Sequence, residues 1–210
     1  MVEIFLFGVS SFLVGLSGAL VPGPMLTVTI ANSLKNGPLA GPMVVSGHMI
    51  AEVAILLLLV LGLGWLIGSA TATLVIGTIG GMVLVYMGYR ITRSAPPSLE
   101  GKVEAKDKYG SVLSGVLSSI SNPYFFIWWA TIGWAFVVKG LEFFGLLGLL
   151  GFMAGHWTAD MGFYSLVSVF SSRGSEILTQ KYYKTLMYGC GIFMIVLGIY
   201  FVFSAQIRAL

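Results

Sequence analysis

Residues 4–31 read IFLFGVSSFLVGLSGALVPGPMLTVTIA, and the interruption at Pro22, Gly23 and Pro24 decides how the rest of the chain is read. The run carries no charged side chain and is longer than the roughly 20 apolar residues that cross the hydrocarbon core of a bilayer. It lacks the basic leader of a secretory signal and far exceeds a signal's apolar segment, so it reads as a retained span. A proline has no backbone N–H, and the carbonyl it frees needs another partner where water is absent. Breaks of this kind persist in a membrane where they are buried in protein or line a cavity. The stretch therefore predicts a spanning helix broken beside an internal polar space.

The composition points the same way. With 57% hydrophobic and only 9% charged residues, and a mean hydropathy of +0.95, the 210 residues lie outside the range of a soluble domain. The net charge of +3 is spread between apolar runs rather than gathered into a patch, which argues against nucleic acid as a partner. Cys190 is the single cysteine, so there is no disulfide framework, redox pair or cysteine metal cluster. The expected partners are the lipid bilayer and a small-molecule substrate, with no cofactor. A homodimer is the one assembly left open.

Apolar runs and turn residues predict six all-α spans, a multi-pass membrane protein. They cover about 4–31, 39–67, 74–91, 111–138, 143–170 and 186–204. The fourth is broken at Asn122 and Pro123, as the first is at Pro22 to Pro24. The one aqueous stretch, 92–110, separates a first three-helix unit (1–91) from a second (111–210). Lys35, Arg90, Arg93, Lys102, Lys106, Lys108, Arg173, Lys181 and Lys184 fall on one side of this arrangement, Lys139 and Arg208 on the other. By the positive-inside rule the larger group is cytoplasmic, the linker with it, and both termini face outward.

The two units repeat one another. Each has a broken helix, then a helix with a histidine and an acid four residues apart, then a helix with two glycines seven apart. The paired segments are GHMIAEV (47–53) with GHWTADM (155–161), and GMVLVYMGY (81–89) with GIFMIVLGIY (191–200). Three spans per unit force the second to enter the membrane in the opposite sense, which gives a 3+3 inverted repeat. Paired breaks in inverted halves point to a substrate site near the midplane, where helix N-termini can face an anionic group. The expected substrate-binding residues are Pro22, Gly23, Pro24, Thr27, Asn122, Pro123, Glu52 and Asp160.

His48 with Glu52 and His156 with Asp160 each lie on one helical face. An acid in mid-membrane costs about 2.5–3.5 kcal/mol on insertion scales, so the four groups should face a polar cavity. The carboxylates suit an ammonium group or a proton relay, with the imidazoles as proton-coupling groups. As an alternative, two His and two carboxylates make a first shell for a divalent metal. Trp128, Trp129 and Trp134 are expected as interface anchors rather than pocket walls. Motifs of membrane or soluble hydrolases, HExxH and GxSxG, are absent, which argues against an enzyme.

The stretches GLSGALVPGPML (15–26) and SNPYFFIWW (121–129), set in six spans and two halves, resemble the LysE/RhtB family of amino-acid exporters over essentially the whole chain. The resemblance implies a plasma-membrane translocator that moves amino acids or related zwitterions outward, driven by a proton or ion gradient. Pro22, Gly23, Pro24, Asn122 and Pro123 match family motif positions. Tyr124 stands where the family commonly has lysine after Asn-Pro, and the histidines of both GHxxx(E/D) segments are unusual for it. The wider superfamily includes divalent-cation transporters, so a metal exporter or exchanger is the alternative reading of the same four side chains.

Overall fold

The computed structural model describes residues 2–62, 69–93, 108–177 and 180–209. Among these the fold is all-helical. The elements are α1 (Val2–Ala19), α2 (Pro24–Asn36), α3 (Ala40–Val60), α4 (Ala70–Thr92), α5 (Lys108–Ile120), α6 (Pro123–Phe144), α7 (Leu146–Ile177) and α8 (Gln180–Ala209). Single π-helical turns interrupt α4 at Ile76–Gly80 and α6 at Trp129–Gly133. Most of the expected linker, 94–107, and the end of the second expected span, 63–67, with Gly68, lie outside the described residues.

The breaks fall where the prolines require. Pro22 and Pro24 separate α1 from α2, with Gly23 extended at the junction and Pro24 at the first helical position, where its missing N–H costs nothing. Pro123 likewise opens α6, one residue after Asn122. Two other boundaries differ from expectation. The helix of the second predicted span ends at Val60, because Gly62 at φ 78° turns the chain. The fifth begins at Leu146, after Gly145 at φ 59° has closed α6.

Among the described residues, five helices are long and apolar enough to cross a membrane: α1, α3, α4, α6 and α8. The predicted six included the region of α7, which has 32 residues and length to spare. Its apolar run is diluted by His156, Thr158 and Asp160, and it is not among the five. Large apolar side chains face outward all over the bundle, among them Phe5, Leu57, Phe170 and Phe203, each more than half exposed. An exposed apolar surface of that extent is what a bilayer covers.

Inside, the helices pair closely: α1 packs on α7, α3 on α5, and α4 on α8. Glycines set the distance. A Cβ on Gly47 of α3 would run into the Val112 carbonyl of α5, and one on Gly115 of α5 into the Val44 carbonyl of α3. In the α4–α8 seam Gly81 lies opposite Gly198 and Gly88 opposite Gly191, with built Cβ positions 2.5 and 2.6 Å from the facing carbonyls. Without side chains at these points, the backbones approach closely enough to gain dispersion contacts in a solvent that offers no hydrophobic drive.

Candidate functional site

The helix pairing brings the two histidine–acid segments face to face. His48 and Glu52 come from α3, His156 and Asp160 from α7, and Glu52, His156 and Asp160 are buried. Glu52 is the hub. Its Oε1 lies 2.7 Å from His156 Nε2 and 3.1 Å from His48 Nε2, and it accepts from Trp129 Nε1 at 3.3 Å. Its Oε2 accepts from Trp157 Nε1 at 2.8 Å. An ionised carboxylate can only accept, so the two indole N–H donors, with two imidazoles beside them, suit a buried anion. Asp160 is provided for differently: its Oδ2 lies 3.4 Å from His156 Nε2 and 3.7 Å from His48 Nε2, and it has no hydrogen-bond partner.

The two imidazoles are held by their surroundings. His48 Nδ1 meets the Ser119 hydroxyl at 2.7 Å, and that hydroxyl donates to the Gly115 carbonyl at 2.7 Å. His156 stacks on the rings of Trp128 and Phe152, each inclined 23° to it, with centroids at 4.8 and 5.8 Å. Gly15 of α1 makes room for it, because a Cβ there would sit 2.7 Å from His156 Nδ1.

The cluster opens into a cavity of about 250 Å³. Pro22, Gly23, Pro24, His48, Glu52, Asn122, His156 and Asp160 all border it. Thr27 does not: its hydroxyl donates to the Gly23 carbonyl at 3.0 Å, bonding back along its own helix. Pro123 is also off the wall, although its neighbours Asn122 and Tyr124 are on it. The two broken helices begin differently. The Asn122 side chain caps α6 by accepting from Tyr124 N at 3.1 Å, whereas no side chain caps α2, whose Met25 and Leu26 border the cavity.

Sequence reading missed the tryptophans and the serine. Trp128 and Trp129 are buried walls of the site rather than interface anchors, and Trp157 and Ser119 hold Glu52 and His48. The position of Trp157 beside His156 and the run of serines at 111, 114, 118 and 119 in α5 were the available signals.

A bundle that turns its apolar side chains outward and keeps a charge-lined cavity beside broken helices is a membrane protein with an internal polar site. The chain belongs to the LysE type translocator family, whose model matches residues 16–205, and it is a membrane transport protein. It is 24% identical over 194 residues to the "Putative amino acid efflux protein YcgF" of Bacillus subtilis (strain 168), an alignment covering 91% of this chain and 93% of that one. No solved structure matches it.

Proposed function

We propose that the protein is a secondary exporter of small amino acids or related zwitterions across the plasma membrane, coupled to protons. In this reading it has six spans in a 3+3 inverted repeat, with both termini outside. One observation carries the substrate assignment: the same cavity is bordered by the uncapped N-terminus of α2 and by the carboxylates of Glu52 and Asp160. A zwitterion needs both kinds of group. The α2 terminus, with its partial positive charge, suits the carboxylate, and the two acids suit the ammonium. A cavity of about 250 Å³ matches a solute smaller than the ligands of ordinary drug-sized pockets. The family and the efflux name of the Bacillus relative favour an amino acid over a metal as the cargo.

The helix pairing supports the repeat. Exchanging the two halves turns the α1–α7 contact into the α3–α5 contact and returns the α4–α8 contact to itself. The antiparallel glycine seam between α4 and α8 is what a pseudo-two-fold axis between them would produce. Rocking one half against the other would then open the cavity to each side in turn, with His48 and His156 passing protons to and from the carboxylates.

The test is efflux from proteoliposomes loaded with a panel of labelled amino acids, with and without a pH gradient. Glu52→Gln and Asp160→Asn are each expected to lower transport at least about 10-fold, the scale of a lost buried charge partner. Transport and pH dependence unchanged in both variants would defeat the assignment.

A further inference from the structure

The cluster has an unresolved feature of its own chemistry. The Ser119 hydroxyl has one proton, and it goes to the Gly115 carbonyl, so its oxygen accepts from His48 Nδ1–H. A neutral His48 then turns the lone pair of Nε2 toward the oxygens of Glu52 and Asp160, 3.1 and 3.7 Å away. Lone pair facing lone pair repels unless a cation, a proton or a metal ion, lies between them. His156 Nε2 aims at the same two oxygens, at 2.7 and 3.4 Å. The Asp160 oxygen that completes the set is buried and has no hydrogen bond.

We infer that His48, Glu52, His156 and Asp160 form a binding site for one divalent transition-metal ion of zinc's chemistry, clasping α3 to α7. One ligand atom from each lies within 4.8 Å of all the others. Tetrahedral zinc with N and O ligands at about 2.0–2.2 Å places its ligand atoms roughly 3.3–3.6 Å apart. The four N–O separations, 2.7, 3.1, 3.4 and 3.7 Å, straddle that spacing. Two imidazoles and two carboxylates are a donor set that zinc and its neighbours accept, and one without thiolates. Two outer contacts of the kind such sites use are also in place, on His48 and Glu52, while His156 Nδ1 has no hydrogen-bond partner. Ser119 fixes the His48 tautomer that leaves Nε2 free, and Trp157 holds the second Glu52 oxygen. The inference goes beyond the exporter reading and shares its carboxylates, so metal and substrate ammonium should exclude each other.

The experiment uses full-length protein in detergent, stripped with chelator and titrated with Zn²⁺ and with Co²⁺. Expected are one saturable ion per chain, the intense visible spectrum of tetrahedral cobalt, and its displacement by Zn²⁺. In His48→Gln/His156→Gln and in Glu52→Gln, each checked for a single monodisperse species, affinity should fall at least about 10-fold. No saturable binding by the wild type, or a cobalt spectrum unaltered by either substitution, would overturn the site. An amino-acid Kd unmoved by saturating Zn²⁺ would overturn the shared carboxylates. Amino-acid transport by protein that binds no metal would sink this inference alone; metal binding without amino-acid transport would sink only the exporter reading.

Discussion

At the scale of single residues, the site depends on who satisfies Glu52. A buried carboxylate is tolerable when donors surround it and costly when one is removed. Trp157 is the donor to Oε2, and Trp157→Phe removes it while keeping an aromatic ring. The variant is expected to lose about 1.5–3 kcal/mol, the range for hydrogen bonds to charged groups, read by equilibrium unfolding in mixed micelles. A loss below about 0.5 kcal/mol, the scale of an ordinary surface change, would mean that Trp157 does not sustain the charge. Thr27 is the contrasting case. Its sequence position just after the first break marked it as a binding residue, but its hydroxyl is spent on the Gly23 carbonyl. Thr27→Val should leave amino-acid affinity by calorimetry within about 2-fold, as expected for a side chain away from the contact.

Among the helices, glycine placement decides which faces meet. Gly47 precedes His48, and its missing side chain lets α5 lie close enough for Ser119 to reach that histidine. Gly47→Ala would drive a methyl into the Val112 carbonyl, and backbone cannot swing aside as a side chain can. It is expected to cost about 1–3 kcal/mol or more by overpacking, whereas Gly162→Ala, whose Cβ meets nothing within 4 Å, should gain up to about 1 kcal/mol from helix propensity. Thermal stability of the two purified variants measures both. The same contrast explains what was legible beforehand. Prolines and charged residues in apolar runs stand out because the membrane makes them costly, so the breaks and the four ionisable groups could be read directly. Trp128 and Trp129 could not, since a tryptophan favours an interface and a cavity wall by the same amphipathic ring. Nor could the cap on α6, because whether Asn122 turns its amide inward on its own helix depends on local geometry that spacing does not encode.

For the whole molecule the open point is α7, which sequence counts as a span and hydropathy alone does not. Its packing argues for crossing: α1, α2, α3 and α6 lie against one side of it, while Leu150, Leu166 and Phe170 on the other are more than half exposed, as on the outer face of a spanning helix. The packed side can carry His156 and Asp160 because protein rather than lipid faces them, and the low apolarity of α7 follows from that. At 32 residues it would extend about 48 Å, more than the hydrocarbon thickness. Lys35, Lys139 and Arg173 are all exposed and lie in the C-terminal turns of α2, α6 and α7, so they report the topology. In a Cys190→Ser background, single cysteines at the three positions can be probed with a membrane-impermeant maleimide on intact and permeabilised cells. Lys139→Cys should label in intact cells, and Lys35→Cys and Arg173→Cys only after permeabilisation. Labelling of Arg173→Cys in intact cells would place both ends of α7 on one side and reduce the spans to five. Labelling of all three in the reverse sense would keep six and invert the orientation drawn from the lysines and arginines.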